Sequence, residues 1–298
     1  MAEATQLGRV GFVGLGKMGD PMVRRIAAGG VEVRGHDTSA GALAALADVL
    51  TPAGSAAEAA AGASVVILML PDSTIVEKVV EGGVLDALAP GAVLVDMSSS
   101  EPLRTRALAA RVAERGVTLV DAPVSGGVSG ANAGTLTIMV GGPDEVVERL
   151  EPLLALMGRV RHVGAVGAGH ALKALNNLMS AAHLLASSEA ILAGMRFGLD
   201  ATVMLEAVNG SSGRSGSTQN KWPNYIVPGT YDSGFTSGLM VKDIRIALDL
   251  VTATGTPSRL AARTVELWSD AVDELGPSAD HTEIARWLQL HTSAQEST

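Results

Sequence analysis

Six short runs dominated by Val, Ile and Leu show no polar alternation: Arg9–Val13, Glu32–His36, Val65–Leu70, Val93–Met97, Thr118–Asp121 and Thr135–Val140. A strand with one wet face alternates apolar and polar side chains, so runs of this kind belong in a sheet covered on both sides. Ala-rich helical segments, among them Pro21–Ala28, Ser39–Ala47 and Arg104–Arg115, lie between them. Strand, helix, strand in series calls for a doubly wound, parallel α/β sheet. The pattern changes near Gly164. From Ala168 onward strands give way to helices, beginning with the proline-free Ala168–Gly194, which at about 1.5 Å per residue would run roughly 40 Å. Further helices are expected at Ala201–Val208, Leu239–Ala253, Ser258–Leu275 and Thr282–His291. Asn209–Phe235, rich in Ser, Gly and Asn, reads as a long loop with at most short helical turns. The polar tail Ser293–Thr298 should fray. The expected fold is α/β: an N-terminal doubly wound sheet over residues 1–165, then an all-α C-terminal domain over 166–298, joined by a long helix.

Charge and composition narrow the function. With 22 Lys and Arg against 31 Asp and Glu, the net charge of -9 has the wrong sign for general nucleic-acid or anionic-membrane binding. The absence of cysteine excludes disulfides and thiolate metal sites and agrees with a cytoplasmic location. The residues before Val10 lack the basic start and long apolar core of a secretory signal. No segment reads as a membrane span, since even Ala181–Met195 contains His183 and Glu189.

Gly14-Leu15-Gly16-Lys17-Met18-Gly19 follows the first strand directly and opens the first helix. Gly14 permits the tight turn, Gly16 a close approach of backbone to a pyrophosphate, and Gly19 close packing of helix on strand. Amides at a helix start then face the anion. Asp37, at the end of the second strand, can accept hydrogen bonds from adenosine ribose hydroxyls. The same carboxylate would repel a 2′-phosphate, which points to NAD rather than NADP. Against this stand a plain capping role for Asp37 and the chance that Arg34 reaches a 2′-phosphate. The strand ends at Leu70-Pro71 and Ser98-Ser99 fall where such a ligand would lie.

Gly167–Asn177 places Lys173 and Asn177 four apart, on one face if helical. Alone, a helix lysine is usually a solvated charge. Combined with Gly14–Met22, Asp121-Ala122-Pro123-Val124-Ser125-Gly126-Gly127, and Gly234-Phe235 leading to Lys242-Asp243, however, the chain resembles the β-hydroxyacid dehydrogenase family over nearly its whole length. It looks nearest to the 3-hydroxyisobutyrate dehydrogenase branch.

That resemblance implies a Rossmann domain, a helical domain for substrate and oligomer contacts, and an active site in the cleft between them. Lys173 would be the acid/base, with Asn177 holding the substrate and positioning the lysine. Ser125, Gly126 and Gly127 would bind the substrate carboxylate. Lys242 would contact the cofactor near the nicotinamide, and Phe235 would pack beside it. Gly14, Leu15, Gly16, Lys17, Met18, Gly19, Asp37, Leu70, Pro71 and Ser99 would line the dinucleotide. A lysine desolvated near a second cation is disfavoured in its charged form, which suits a base. Retention of Lys173 disfavours imine reductases, and Ser125-Gly126-Gly127 disfavours a sulfonate substrate. The 6-phosphogluconate dehydrogenases are similar in plan but have a longer helical region. Tartronate semialdehyde, threonate and ω-hydroxy acids stay open as substrates, because Gly216–Tyr225 departs from the branch pattern. A non-catalytic dinucleotide-binding protein is the reading of another class. The resemblance also implies a homodimer or homotetramer.

Scattered histidines give no metal-binding spacing, and no serine-nucleophile elbow is present. Asp280 with Glu283 reads as an N-cap pair opening the last helix. Arg214 reads as a helix-end cap or an aid to anion binding.

Overall fold

The computed structural model describes residues 8–295. Two compact units, Met1–Lys173 and Ala174–Thr298, divide the chain.

In the first unit nine strands form one sheet: β1 (Val10–Val13), β2 (Val33–His36), β3 (Thr51–Pro52), β4 (Val65–Leu68), β5 (Val93–Asp96), β6 (Thr118–Asp121), β7 (Val124–Ser125), β8 (Leu136–Gly141) and β9 (Gly158–Gly164). Their order is β3-β2-β1-β4-β5-β6-β8-β7, with β9 on β8. The six strands up to β6 run parallel. β8 pairs antiparallel with β6 and β7 and parallel with β9, so the expected doubly wound parallel sheet carries a mixed edge beyond β6. The helices are α1 (Gly19–Ala28), α2 (Ala40–Ala44), α3 (Ala56–Ala60), α4 (Ser73–Val79), α5 (Leu85–Ala87), α6 (Pro102–Ala113), α7 (Gly127–Ala133) and α8 (Asp144–Leu154), with α9 (Ala168–Phe197) crossing the boundary between units.

The core explains the unbroken apolar runs. Val10, Phe12, Val65, Ile67, Val93 and Val95 pack on one face of the sheet, while Val13, Val66, Leu68 and Leu94 pack on the other. Successive side chains of a strand point to opposite faces, and here both faces are dry. Phe12 is fully buried, so truncation to Ala should cost about 3–5 kcal/mol. Strand β9, interrupted by two arginines and a histidine, is mostly exposed and gave no such run.

The second unit contains most of α9, then α10 (Ala201–Asn209), α11 (Ser237–Ala253), α12 (Arg259–Leu275) and α13 (Ile284–Gln295). Ala181, Leu184, Leu185 and Ile191 of α9 share a core with Met240, Ile244, Trp268 and Trp287. Two expectations need correction. The supposed long loop contains a ten-residue π-helical segment, Ser217–Ile226, whose Trp222 and Ile226 enter the core. Two aromatic and aliphatic anchors outweighed the surrounding Ser and Asn. In addition, α9 is long and apolar enough to cross a membrane by length and composition alone, with an 18-residue window of mean hydropathy 1.3, 28% of it buried. His183 and Glu189 together do not lower that average enough. Helix α13 continues through Ser293–Gln295, and the rest of the tail lies outside the described residues.

Candidate active site

The glycine turn Gly14–Gly19 sits at the carboxyl end of β1, between β2 and β4, where the strand order reverses. Gly14 has a φ of +98°, and a Cβ there would lie 2.2 Å from the Met69 carbonyl oxygen. A Cβ on Gly19 would lie 2.0 Å from the Gly14 carbonyl oxygen. Glycine is therefore required at both ends of the turn. At Gly16 a Cβ would meet nothing within 4 Å, and both Gly16 and Lys17 are exposed. The start of α1 has no side-chain cap; its Asp20 N–H donates to the Gly16 carbonyl oxygen and Pro21 has no N–H, so it is the turn just ahead of them that would face an anion. Open space over Gly16 beside an uncapped helix start fits a dinucleotide pyrophosphate.

Asp37 is fixed by backbone donors. Leu15 N–H donates to Oδ2 at 2.7 Å and Ser39 N–H to Oδ1 at 2.7 Å. The carboxylate thus stands against the turn, with acceptor capacity left on each oxygen. The side-chain cap of α2 is Ser39, which accepts from Ala42 N–H. Arg34 is paired with Glu58. At the neighbouring strand ends, Asp96 accepts from Ser98 N–H at 3.0 Å, and Ser98 Oγ accepts from Leu70 N–H at 2.9 Å. That chain of bonds aligns the Leu70-Pro71 and Ser98-Ser99 segments on adjacent strands. Strand β7 ends at Ser125, and Gly126-Gly127 lead into α7; Ser125 is partly buried and both glycines are exposed. That segment is ordered strand and helix.

The start of α9 is tied down by a residue whose role the sequence did not disclose. Asp121, fully buried, accepts from Gly167 N–H at 2.6 Å and from His170 N–H at 2.8 Å. A Cβ on Gly169 would lie 2.2 Å from the Met139 carbonyl oxygen, so the helix seats directly on the sheet backbone. Burial pushes the Asp121 carboxyl up, while the His170 charge and the two amides pull it down. Buried His170 places Nδ1 2.8 Å from Thr105 Oγ1, whose hydroxyl donates to the Glu101 carbonyl. Thr105 Oγ1 must then accept, which makes Nδ1 the donor. Lys173, partly buried, follows His170 by one turn.

In the second unit the central residue is Asp243. Its Oδ2 accepts from Asn177 Nδ2 at 2.6 Å, and its Oδ1 lies 3.2 Å from Lys242 Nζ. Asn177 and Asp243 are both buried. One carboxylate therefore holds two expected site residues, although only its place beside Lys242 drew attention to it. Phe235 meets His281 edge to face, with ring centroids 5.5 Å apart. Asp280 accepts from Ser233 Oγ, Gly234 N–H and Thr282 N–H, and it caps the short 3-10 turn His281–Glu283 ahead of α13. Burial, with the Lys221 charge adding to it, lowers His281 to about 4. Arg214 is exposed and caps no helix. Among the described residues no cluster of three or more His, Asp or Glu could hold a metal.

The NAD-binding domain of 6-phosphogluconate dehydrogenase matches residues 9–167. The NAD-binding region of NADP-dependent 3-hydroxyisobutyrate dehydrogenase matches residues 167–288. The chain is 39% identical over 267 residues to 2-(hydroxymethyl)glutarate dehydrogenase of Eubacterium barkeri, covering 87% of this chain and 88% of that one. It is 37% identical over 274 residues to the NAD-dependent L-serine dehydrogenase of Pseudomonas aeruginosa, covering 87% and 91%. The solved 3-hydroxyisobutyrate dehydrogenase of Mycobacterium tuberculosis with L-serine superposes with a TM-score of 0.90 at 32% identity, covering 95% of this chain and 99% of that chain.

Proposed function

The chain belongs to the β-hydroxyacid dehydrogenase family, and on that premise we propose that it interconverts a short 3-hydroxy acid and its semialdehyde or keto acid, using NAD in preference to NADP and Lys173 as acid/base. A nicotinamide dinucleotide is the cofactor of the family, and small hydroxy acids suit the activities its relatives are named for. The observation that carries the reading is the anchored start of α9, where Asp121 fixes the turn that presents Lys173.

Bound nicotinamide would supply the hydride acceptor. Lys173 Nζ takes the hydroxyl proton during oxidation and returns one to the alkoxide oxygen during reduction, the contribution expected of a positioned acid/base. Asn177, one turn further along α9, is oriented by Asp243 to hold the substrate hydroxyl. Ser125 Oγ with the Gly126 and Gly127 amides binds the carboxylate, where the absence of side chains on two successive residues lets the acid approach backbone. Gly14, Leu15, Gly16, Lys17, Met18 and Gly19 hold the pyrophosphate, and Leu70, Pro71 and Ser99 line the dinucleotide. Lys242 lies near the nicotinamide, and Phe235 packs beside it.

Asp37 supports the preference for NAD, since its carboxylate is fixed at the turn while Arg34 is engaged by Glu58. The domains are assigned as 1–165 for the dinucleotide and 166–298 for substrate and self-association. Exposed Phe197, Leu199 and Val203 in the second unit favour a homodimer or homotetramer. We place the enzyme in the cytoplasm. The test is a panel of 3-hydroxyisobutyrate, L-serine, 2-(hydroxymethyl)glutarate, threonate and ω-hydroxy acids, with NAD and with NADP, followed by absorbance of the reduced cofactor. Turnover of at least one with higher kcat/KM on NAD is expected. A flat response across the panel would leave a dinucleotide-binding protein without this activity.

A further inference from the structure

Lys221 stands apart from the residues used so far. It is partly buried in the π-helical segment, and its Nζ donates to Ser180 Oγ at 2.8 Å. Among the described residues its amine forms no ion pair within 4.0 Å, in contrast to Lys242, which lies 3.2 Å from Asp243. An ammonium has three donors, and a neutral hydroxyl satisfies one of them while cancelling no charge. Burial accordingly draws its pKa down to about 8, opposed only in part by the field of Asp280. A desolvated cation whose counter-charge stands beyond 4.0 Å is costly unless something outside the chain supplies charge closer by.

Its position says what that something is. Ser180 follows Asn177 by three residues on α9, so the two share a helix face, about 4.5 Å apart along the axis. Resting on the reading of Asn177 as the residue that holds the reacting end of a hydroxy acid, we propose that Lys221, steadied by Ser180, is a specificity-determining residue that binds a second carboxylate carried on the substrate's 2-substituent. The offset of one helical turn matches a two-carbon spacer between C2 and that carboxylate. A substituent ending in a methyl group would leave the ammonium as it stands, desolvated and only partly compensated.

The experiment compares kcat/KM for 2-(hydroxymethyl)glutarate with that for 2-(hydroxymethyl)pentanoate, the monoacid with a methyl group in place of the second carboxylate, in the full-length enzyme and in Lys221→Met. The diacid should be preferred, and the substitution should collapse that preference about 10- to 100-fold, chiefly through KM, as expected for one charge-assisted contact. A ratio that stays within about threefold of the unsubstituted enzyme's overturns the proposal. Should Lys221→Met fail to fold, glutarate and pentanoate as competitive inhibitors of the unsubstituted enzyme give the same answer: glutarate must bind at least about tenfold more tightly. Turnover of the monoacid without preference for the diacid sinks the second-carboxylate site and leaves the hydroxy-acid reading standing. Oxidation of neither, together with glutarate binding by calorimetry that Lys221→Met abolishes, sinks the hydroxy-acid reading and keeps the site.

Discussion

The two units position functional side chains by different means. In the first, backbone does the work: Gly14 and Gly19 shape the turn by the absence of side chains, and Asp37 and Asp121 each accept from two amides. In the second, side chains hold side chains: Asn177 and Lys242 on Asp243, Lys221 on Ser180, Ser233 on Asp280. Backbone-built geometry survives many substitutions around it, whereas a side-chain network can be retuned by changing one member. This division suits a constant cofactor and a variable substrate.

The sharpest test of that division is Lys173→Ala, which should lower kcat by about 10² to 10⁴ while dinucleotide binding, followed by fluorescence titration, stays within a few-fold. Parallel loss of cofactor affinity would break the separation. Next comes Asp121→Asn. An amide can accept from only one of the two donors Gly167 and His170 and turns its own N–H₂ toward the other, so about 1–3 kcal/mol of stability should be lost. Denaturant unfolding measures this, and kcat should fall with it; an unchanged midpoint would show that the helix start does not depend on Asp121. Asp37→Ser should shift the ratio of NAD to NADP efficiency about tenfold toward NADP, and no shift would remove Asp37 from cofactor choice. The smallest effect concerns pH. Lys221 is charged below its lowered pKa of about 8 and neutral above it, with Asp280 and His281 the titratable groups whose fields reach it. Preference for the diacid should therefore decline a few-fold as pH rises past about 8 and 9, with a bound anion moving the midpoint upward; a ratio flat from pH 7 to 10 would point to a neutral contact.

What the sequence disclosed follows the same line. The tight glycine turn was legible because its determinants lie within six residues after a strand, and apolar runs without alternation announced a sheet buried on both faces. Roles for Lys173, Asn177 and the Ser125 segment came only as implications of the motif resemblance, since spacing alone could not assign them. The antiparallel β7–β8 pair was hidden because β7 has only two residues, too few for a pattern. The polar networks were illegible for another reason: Asn177 and Asp243 are separated by 66 residues and Ser180 and Lys221 by 41, and no periodicity connects such distant positions. Asp121 stood within a recognised motif, yet its partners lie 46 and 49 residues away.

The widened winding of Ser217–Ile226 has a consequence for how this protein can change over time. Its register sends Trp222 inward and delivers the Lys221 amine to Ser180. Removing one residue would rotate everything after the cut by nearly a quarter turn, trading indole for ammonium in the interior. Drift in this stretch is therefore free to swap letters but not to add or drop them, and homologues with new appetites should differ here in spelling at constant length.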